Sequence, residues 1–187
     1  MSRKTAQIGL VGIAIGVVFG AITVGARSAS GQERCAAREA VPRQLRPVDC
    51  LLAAAVAEGL GRSATFRQMV ERVGTLNGIV YIHLKQYVDP HTNLVLDGAL
   101  SHSVTTAGAH RVLHVMVGAG QGDRPIAILA HELHHAIEVL EAPDVSTEAA
   151  VDQLFERIGT RVHGGVVETQ AALDAERAVR RELAHRD

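Results

Sequence analysis

An α+β domain is the fold class that the sequence predicts, and three observations predict it. Residues 79–84 and 111–117 are rich in β-branched side chains and alternate in the manner of strands. Residues 125–141 form a long apolar stretch with helical spacing, bounded by a proline near each end. Shorter helical patterns lie before and after these segments. The order is therefore two short helices, then strands, then the longest helix, then further helices.

Composition narrows the functional classes. The chain has 187 residues, a net charge of −1, 47% hydrophobic residues and only 3% aromatic residues. This balance is typical of a globular domain, and it offers neither the positive charge nor the aromatic platform of a nucleic-acid-binding protein. No nucleic-acid partner is expected. Ten histidines are a high count for this length and draw attention to metal or acid–base chemistry.

The first 31 residues have the pattern of an export signal peptide or an N-terminal membrane anchor. Arg3 and Lys4 precede residues 8–26, which carry no charge and are followed by Arg27. Nineteen apolar residues are also just enough to span a bilayer, so cleaved signal and membrane anchoring both stay open. Basic residues before the apolar segment predict that the rest of the chain is exported, either periplasmic or secreted, and held at the inner membrane if anchored.

Beyond this segment the sequence predicts a linker over 32–47 and one domain over 48–187. Cys35 and Cys50 lie just after the export segment. An oxidising compartment would permit a Cys35–Cys50 disulfide, with two reduced thiols as the alternative.

Capping residues predict the other helices. Asp49 and Ser63 begin the two helices that precede the first long strand, and Ser146 or Thr147 begins the helix after residues 125–141. The last helix is predicted from about residue 166 to residue 184.

The strongest functional signal lies inside the long apolar helix. Residues 131–135 read His131-Glu132-Leu133-His134-His135, an H-E-x-x-H motif. His131 and His135 lie one turn apart on the same face of a helix, where both can bind one Zn²⁺ ion. Glu132 lies beside them and can accept a proton from a metal-bound water. An unpaired cluster of this kind would be costly to bury, which favours a metal.

A third ligand must come from elsewhere in the chain. Glu138 is seven residues from His131, too far along the helix to join the same ion, and is interpreted as a supporting residue. Glu168 is the first choice, because small and apolar residues share its predicted helical stripe and point it toward the core. Glu156 and Glu148 remain alternatives, although their helix edge reads as a solvated charged face.

The HELHH motif followed by Glu168-Thr169-Gln170-Ala171 resembles the gluzincin division of the zincin metallopeptidases. The resemblance implies a zincin-like fold, in which a small, mostly antiparallel sheet packs on the HExxH helix and an edge strand binds peptide. It also implies that a helical glutamate, here Glu168, is the third zinc ligand. Ala172 stands where such families often have Asp. The whole chain is also similar to small exported bacterial proteins of unassigned function.

These residues together predict a zinc metallopeptidase. Zn²⁺ would activate water, Glu132 would act as general base, and the partner would be a peptide or protein substrate. A donor to the developing oxyanion is also needed. Five side chains are candidates: His110, His114, Tyr81, Tyr87 and His163. The alternative is a non-catalytic zinc-binding or envelope interaction module. The oligomeric state stays open.

Overall fold

The structure is a computed structural model, and it describes residues 37–88, 95–162 and 166–185. These residues form α-helices and a small mixed sheet, so the α+β class is confirmed. A 3₁₀ turn spans Ala37–Ala40. Within the described part, the helices are α1 (Cys50–Arg62), α2 (Ala64–Thr75), α3 (Arg124–Glu141), α4 (Glu148–Ile158) and α5 (Gln170–Ala184). The strands are β1 (Leu45–Pro47), β2 (Gly78–Leu84), β3 (Tyr87–Val88), β4 (Val95–Leu96), β5 (Gly98–Leu100), β6 (Thr105–Ala107), β7 (His110–Val117), β8 (Thr160–Arg161) and β9 (Val167–Glu168).

The main sheet has the order β1-β2-β7-β5, with β6 also paired to β7. β1 and β7 both run parallel to β2, whereas β5 and β6 run antiparallel to β7. The expectation of a mostly antiparallel sheet is therefore wrong. Alternation of side chains is the same in both directions and does not report strand direction. The helices α1 and α2 supply the long crossover that the parallel pair β1–β2 requires.

The segment predicted to be a linker contributes to this sheet. Residues 45–47, at its end, form the edge strand β1, and Leu45 is buried. The backbone N–H of Val80 on β2 donates to the carbonyl of Gln44, the residue just before β1, and this bond helps to pair the two strands.

The predicted helix starts at Asp49 and Ser63 are confirmed. The Asp49 side chain accepts a hydrogen bond from Leu52 N at 2.9 Å, and Ser63 Oγ accepts one from Phe66 N at 3.0 Å. Each cap satisfies a backbone donor that the first turn of a helix leaves unpaired. Thr147, rather than Ser146, caps α4.

Helix α3 is buried on nearly every side, as its apolar residues predict. Leu129 and Leu133 lie in the core shared with the sheet, and Ile128 and Val139 on the other flank are buried too. The guanidinium of Arg111 on β7 holds the end of the helix. It donates to the carbonyls of Val139 at 2.9 Å and Ala142 at 2.7 Å, and also to that of Leu140. Carbonyls in the last turn of a buried helix would otherwise have no partner.

Helix α5 begins later than predicted. The sequence predicts a helix from about residue 166, but Val167–Glu168 form β9, which pairs antiparallel with β8. The Thr169 side chain then caps α5 by accepting from Ala172 N at 3.2 Å. A β-branched valine and a threonine with strong capping preference explain why the helix starts after Glu168. From there α5 packs extensively along α3 through a buried stripe of small and apolar residues: Ala172, Ala175, Val179 and Leu183.

Several predictions for the N-terminal region concern residues outside the described part of the chain. They are the signal peptide or anchor over 1–31, including the apolar residues 8–26, and the Cys35–Cys50 disulfide, since Cys35 is not among the described residues. In the part that the structure does describe, no helix has the length and apolar character needed to cross a membrane.

Glu182 on α5 ties the start of α2 to the rest of the fold. Its carboxylate accepts from Ser63 Oγ at 2.5 Å and from Thr65 N and Oγ1 at 3.1 and 2.6 Å. Burial opposes the charge, but these hydrogen bonds hold the pKa of Glu182 below its ordinary value. A lowered pKa means that this stabilisation is present above the ordinary carboxyl pKa and is lost as pH falls through the folded value.

Replacing this carboxylate should therefore change stability in a pH-dependent manner. We expect Glu182→Gln to lower the free energy of unfolding by about 1 kcal/mol at pH 7, and the difference from wild type to shrink on acidification below about pH 4. Urea unfolding at pH 7 and pH 3 measures both effects. Glu71→Gln, an exposed position on α2, is the control. A loss of equal size at both pH values would contradict the role of the charge.

Candidate metal site and cleft

Helix α3 presents two imidazoles side by side at its buried face. His131 and His135 are 7% and 6% exposed, and their Nε2 atoms lie 3.1 Å apart. A spacing of four residues stacks the side chains one turn apart, which brings the two nitrogens to a common point. The structure thus gives this pair the arrangement that the motif predicts.

Glu168 completes the group from a different element than the one predicted. It lies on β9 rather than in a helix, and its Oε2 is 2.8 Å from His131 Nε2 and 3.3 Å from His135 Nε2. Pairing with β8 on one side and the Thr169 cap on the other fix its position. Gly159 allows the hairpin to approach α4, since a Cβ there would lie 2.4 Å from Val167 Cγ1.

These three residues could hold a metal ion, and within the described residues they are the group of metal-ligating side chains that converges in this way. Their ligand atoms form a triangle with sides of 2.8, 3.1 and 3.3 Å. The centre of such a triangle is about 1.8 Å from each atom, less than the ~2.0–2.2 Å of zinc–nitrogen and zinc–oxygen bonds. The three atoms are therefore close enough together for one ion to reach all of them.

The outward ring nitrogens of both histidines also meet carboxylates. His135 Nδ1 lies 2.8 Å from Glu138 Oε2, and His131 Nδ1 lies 3.2 Å from Glu176 Oε2. Glu176 is in turn held by Arg180 at 2.6 and 2.9 Å. Carboxylates in this position orient metal-binding imidazoles so that the other nitrogen faces the ion. Glu138 was predicted to support the site, whereas Glu176 was not predicted, because it lies on another helix at no diagnostic spacing.

Without a metal, the cluster is an ion-pair network. Burial lowers the pKa of His135, but its bonds to Glu138 and Glu168 outweigh this and raise the value to about 9. The pKa of His131 is also raised, because its bond to Glu168 outweighs burial. Burial would raise the pKa of Glu168, yet the two imidazoles hold it at about 2. Binding of a metal ion would displace protons from the two imidazoles, because histidine ligates a metal in its neutral form.

Glu132 differs from the other acidic groups because it has no such partner. It is 6% exposed, and among the described residues no side chain or backbone group hydrogen-bonds to its carboxylate. Burial raises its pKa to about 7, in spite of the nearby His135 and His131. Gly98 on β5 leaves room for it, since a Cβ at that position would lie 2.5 Å from Glu132 Oε1.

A cleft of about 440 Å³ opens beside this cluster. Glu132, His135 and Glu168 lie on its floor, β5 forms one side, and helix α4 forms another. Apolar side chains from these walls and from the adjoining segments also line the cleft: Leu96, Ala99, Leu100, Phe155, Val166 and Val167. The metal-ligating group is thus buried in the fold but open to a space large enough for part of a polymer chain.

The two alternative ligands, Glu148 and Glu156, lie on α4 along the cleft wall. Both are exposed, and neither belongs to the converging group. Glu156 instead pairs with Arg161 at 3.0 Å. Their placement matches the solvated helix edge that their pattern indicates.

Of the four candidate oxyanion donors among the described residues, Tyr87 alone lines the cleft. His110 is exposed and meets the Asn77 carbonyl. Tyr81 and His114 stack on each other with ring centroids 5.4 Å apart, on the sheet face away from α3. His163 lies outside the described residues.

His102 is a cleft residue that the sequence analysis missed. Its Nδ1 lies 2.5 Å from Asp152 Oδ1, and its ring stacks on Phe155, which also contacts the His135 ring edge-on. Asp152 follows 50 residues later in the chain, so no local spacing could have signalled the pair.

Metal content provides a direct test of the ligand group. We expect the full-length chain loaded with Zn²⁺ to retain one ion per chain after removal of excess metal, and His131→Ala and Glu168→Ala to lose it, because each removes a ligand atom. Elemental analysis measures the ratio. Glu156→Ala is the control and should retain the ion. Metal retained by Glu168→Ala but lost from Glu156→Ala would assign the third ligand to α4.

The outer carboxylates should affect affinity rather than stoichiometry. We expect Glu138→Gln and Glu176→Gln each to weaken metal binding about 10- to 100-fold, since each leaves an imidazole without its orienting partner. Competition with a chelator of known affinity measures the change. Asp174→Asn, an exposed change on α5, should leave the affinity as in wild type, and equal affinities for all three variants would contradict this role.

Comparison with known proteins adds no relative to this description: no family model, no curated protein and no solved structure matches the chain.

Proposed function

We propose that the protein is a zinc-dependent metallopeptidase of zincin-like architecture that hydrolyses peptide bonds in this cleft. The observation that carries the proposal is the Glu132 carboxyl. It is buried, has no hydrogen-bond partner in the described part of the chain, and opens onto a cleft beside three converging ligand atoms. Its carboxyl reaches the cleft, so it is placed to exchange a proton with water or substrate there.

The donor set supports zinc as the metal. Two imidazoles and one carboxylate are one of the ligand sets of catalytic zinc sites, in which three protein groups leave a position for water or substrate. Bound zinc would supply a water of lowered pKa and would polarise a substrate carbonyl. His131, His135 and Glu168 are the residues that would hold it.

Glu132 is the proton-transfer group in this proposal. A general base must lie within reach of the proton that it takes, and the Glu132 carboxyl opens onto the same cleft as His135 and Glu168. It would take a proton from the attacking water and deliver it to the nitrogen of the leaving amine. His102 and Tyr87 are two of the side chains on the cleft wall that carry hydrogen-bond donors, as an oxyanion requires.

The sheet supports a peptide as the substrate. β5 lies at the end of the described strand order and also lines the cleft. An edge strand can pair its free backbone groups with an extended chain, which would lay the chain across the cleft. We further propose that the reaction takes place outside the cytoplasm, as the basic and apolar pattern of residues 1–31 predicts.

Replacing the base separates metal binding from catalysis. We expect Glu132→Gln to retain one zinc per chain and to lower kcat for an unstructured peptide by about 10²- to 10⁴-fold, the usual contribution of a general base. Glu71→Gln is the control. Hydrolysis retained by Glu132→Gln would remove Glu132 as the base. Absence of turnover in zinc-loaded wild type would favour the non-catalytic zinc-binding module instead.

A substitution outside the motif tests the placement of the carboxyl. We expect Gly98→Ala to keep its zinc but to lower kcat about 100-fold, because the new Cβ would displace the Glu132 carboxyl and misplacement by ~1 Å has an effect of this size. Gly61→Ala is the matched control, since a Cβ there meets nothing within 4 Å. Wild-type kcat in Gly98→Ala would contradict the proposed role of this contact.

A further inference from the structure

The wall of the cleft formed by α4 carries a row of carboxylates. Glu148, Asp152 and Glu156 are spaced four residues apart and all line the cleft. This spacing places them on one face of the helix, in a row about 12 Å long. All three are exposed, so they face the space that a substrate would occupy rather than the core.

The charges around this row are unbalanced. Arg161 is the one Arg or Lys among the described residues that line the cleft, and it pairs with Glu156 at 3.0 Å. Asp152 is paired with His102. Glu148 makes no hydrogen bond or ion pair with any described residue. The α4 side of the cleft therefore carries more carboxylates than cations.

The cleft combines this charge with apolar surface. Phe155 lies on the same helix as the three carboxylates, and it lines the cleft together with Leu96 and Leu100. Lysine and arginine side chains fit such a surface, because their aliphatic stems pack on apolar groups while their charged ends reach carboxylates. An acidic side chain in the same place would be repelled. The Glu132 side chain is 6% exposed, has no hydrogen-bond partner among the described residues and opens into the same cleft, which independently marks it as a binding space.

We propose that the cleft selects peptides carrying a lysine or arginine side chain next to the bond held at the metal site, with Glu148 as a specificity-determining residue. This inference rests on the proposed function, because it takes a peptide as the ligand of the cleft. It goes further by assigning the chemical class of the side chain that the α4 wall receives.

Binding to an inactive form tests the selection without relying on turnover. The probe is a blocked alanine–serine hexapeptide with one lysine, compared with the same peptide carrying glutamine, on full-length zinc-loaded Glu132→Gln. We expect the lysine peptide to bind about tenfold more tightly at low salt, the sum of modest contributions from partly exposed charges. The ratio of the affinities for the two peptides should fall toward one between about 10 mM and 1 M salt, because the Debye length shortens from about 30 to 3 Å.

Charge substitutions locate the effect. Glu148→Lys, in the Glu132→Gln background, should abolish the preference for lysine, whereas Glu71→Lys makes the same charge change on an exposed face of α2 and should preserve it. Equal binding of the two peptides, no binding of either, or a preference that survives Glu148→Lys would overturn the inference.

Hydrolysis by the wild-type chain separates this inference from the proposed function. Equal kcat/KM for the lysine and glutamine peptides would overturn the selection while supporting peptide hydrolysis. A Glu148-dependent preference in binding, with no hydrolysis of either peptide, would support the selection and overturn the catalytic proposal.

Discussion

The burial of α3 is the constraint on which the rest of the structure depends. This helix carries three ionisable side chains, His131, Glu132 and His135, into the interior, where a charge without a partner is strongly disfavoured. The two imidazoles are satisfied at both ring nitrogens, by Glu168 on the inner side and by Glu176 or Glu138 on the outer side. Of the three, Glu132 alone has no such partner within residues 37–88, 95–162 and 166–185. This difference distinguishes His131 and His135, which would hold a metal, from Glu132, which would transfer a proton.

The remaining elements hold this helix and bring distant groups to it. Arg111 on β7 binds the carbonyls at its end, and α5 packs along it through small side chains. Glu168 lies two residues before the start of α5, so the packing that stabilises the helix pair also places this carboxylate beside the two imidazoles. Gly98 and Gly159 are the close approaches that this arrangement needs, one beside Glu132 and one beside the β8–β9 hairpin.

Features encoded by local sequence were predictable, and features set by tertiary contact were not. The caps at Asp49 and Ser63 and the span of α3 follow from capping preference and hydrophobic spacing. Strand direction does not follow, because side-chain alternation is the same in parallel and antiparallel sheets. The sequence directed attention to Glu168 through a helical stripe to which it does not belong. The Thr169 cap begins that helix at Gln170, so Glu168 lies outside it. Glu176 and His102 escaped notice because each meets its partner across dozens of residues.

The central claim is that His131, His135 and Glu168 bind one metal and leave a position on it open to the cleft. X-ray absorption at the zinc edge of the full-length chain, loaded with one equivalent of Zn²⁺, tests this most directly. The account predicts two imidazole nitrogens at about 2.0–2.1 Å and oxygen ligands at about 2.0–2.2 Å, one from a carboxylate and the rest from exchangeable solvent. A spectrum with sulfur ligands or with three or more imidazoles would contradict it.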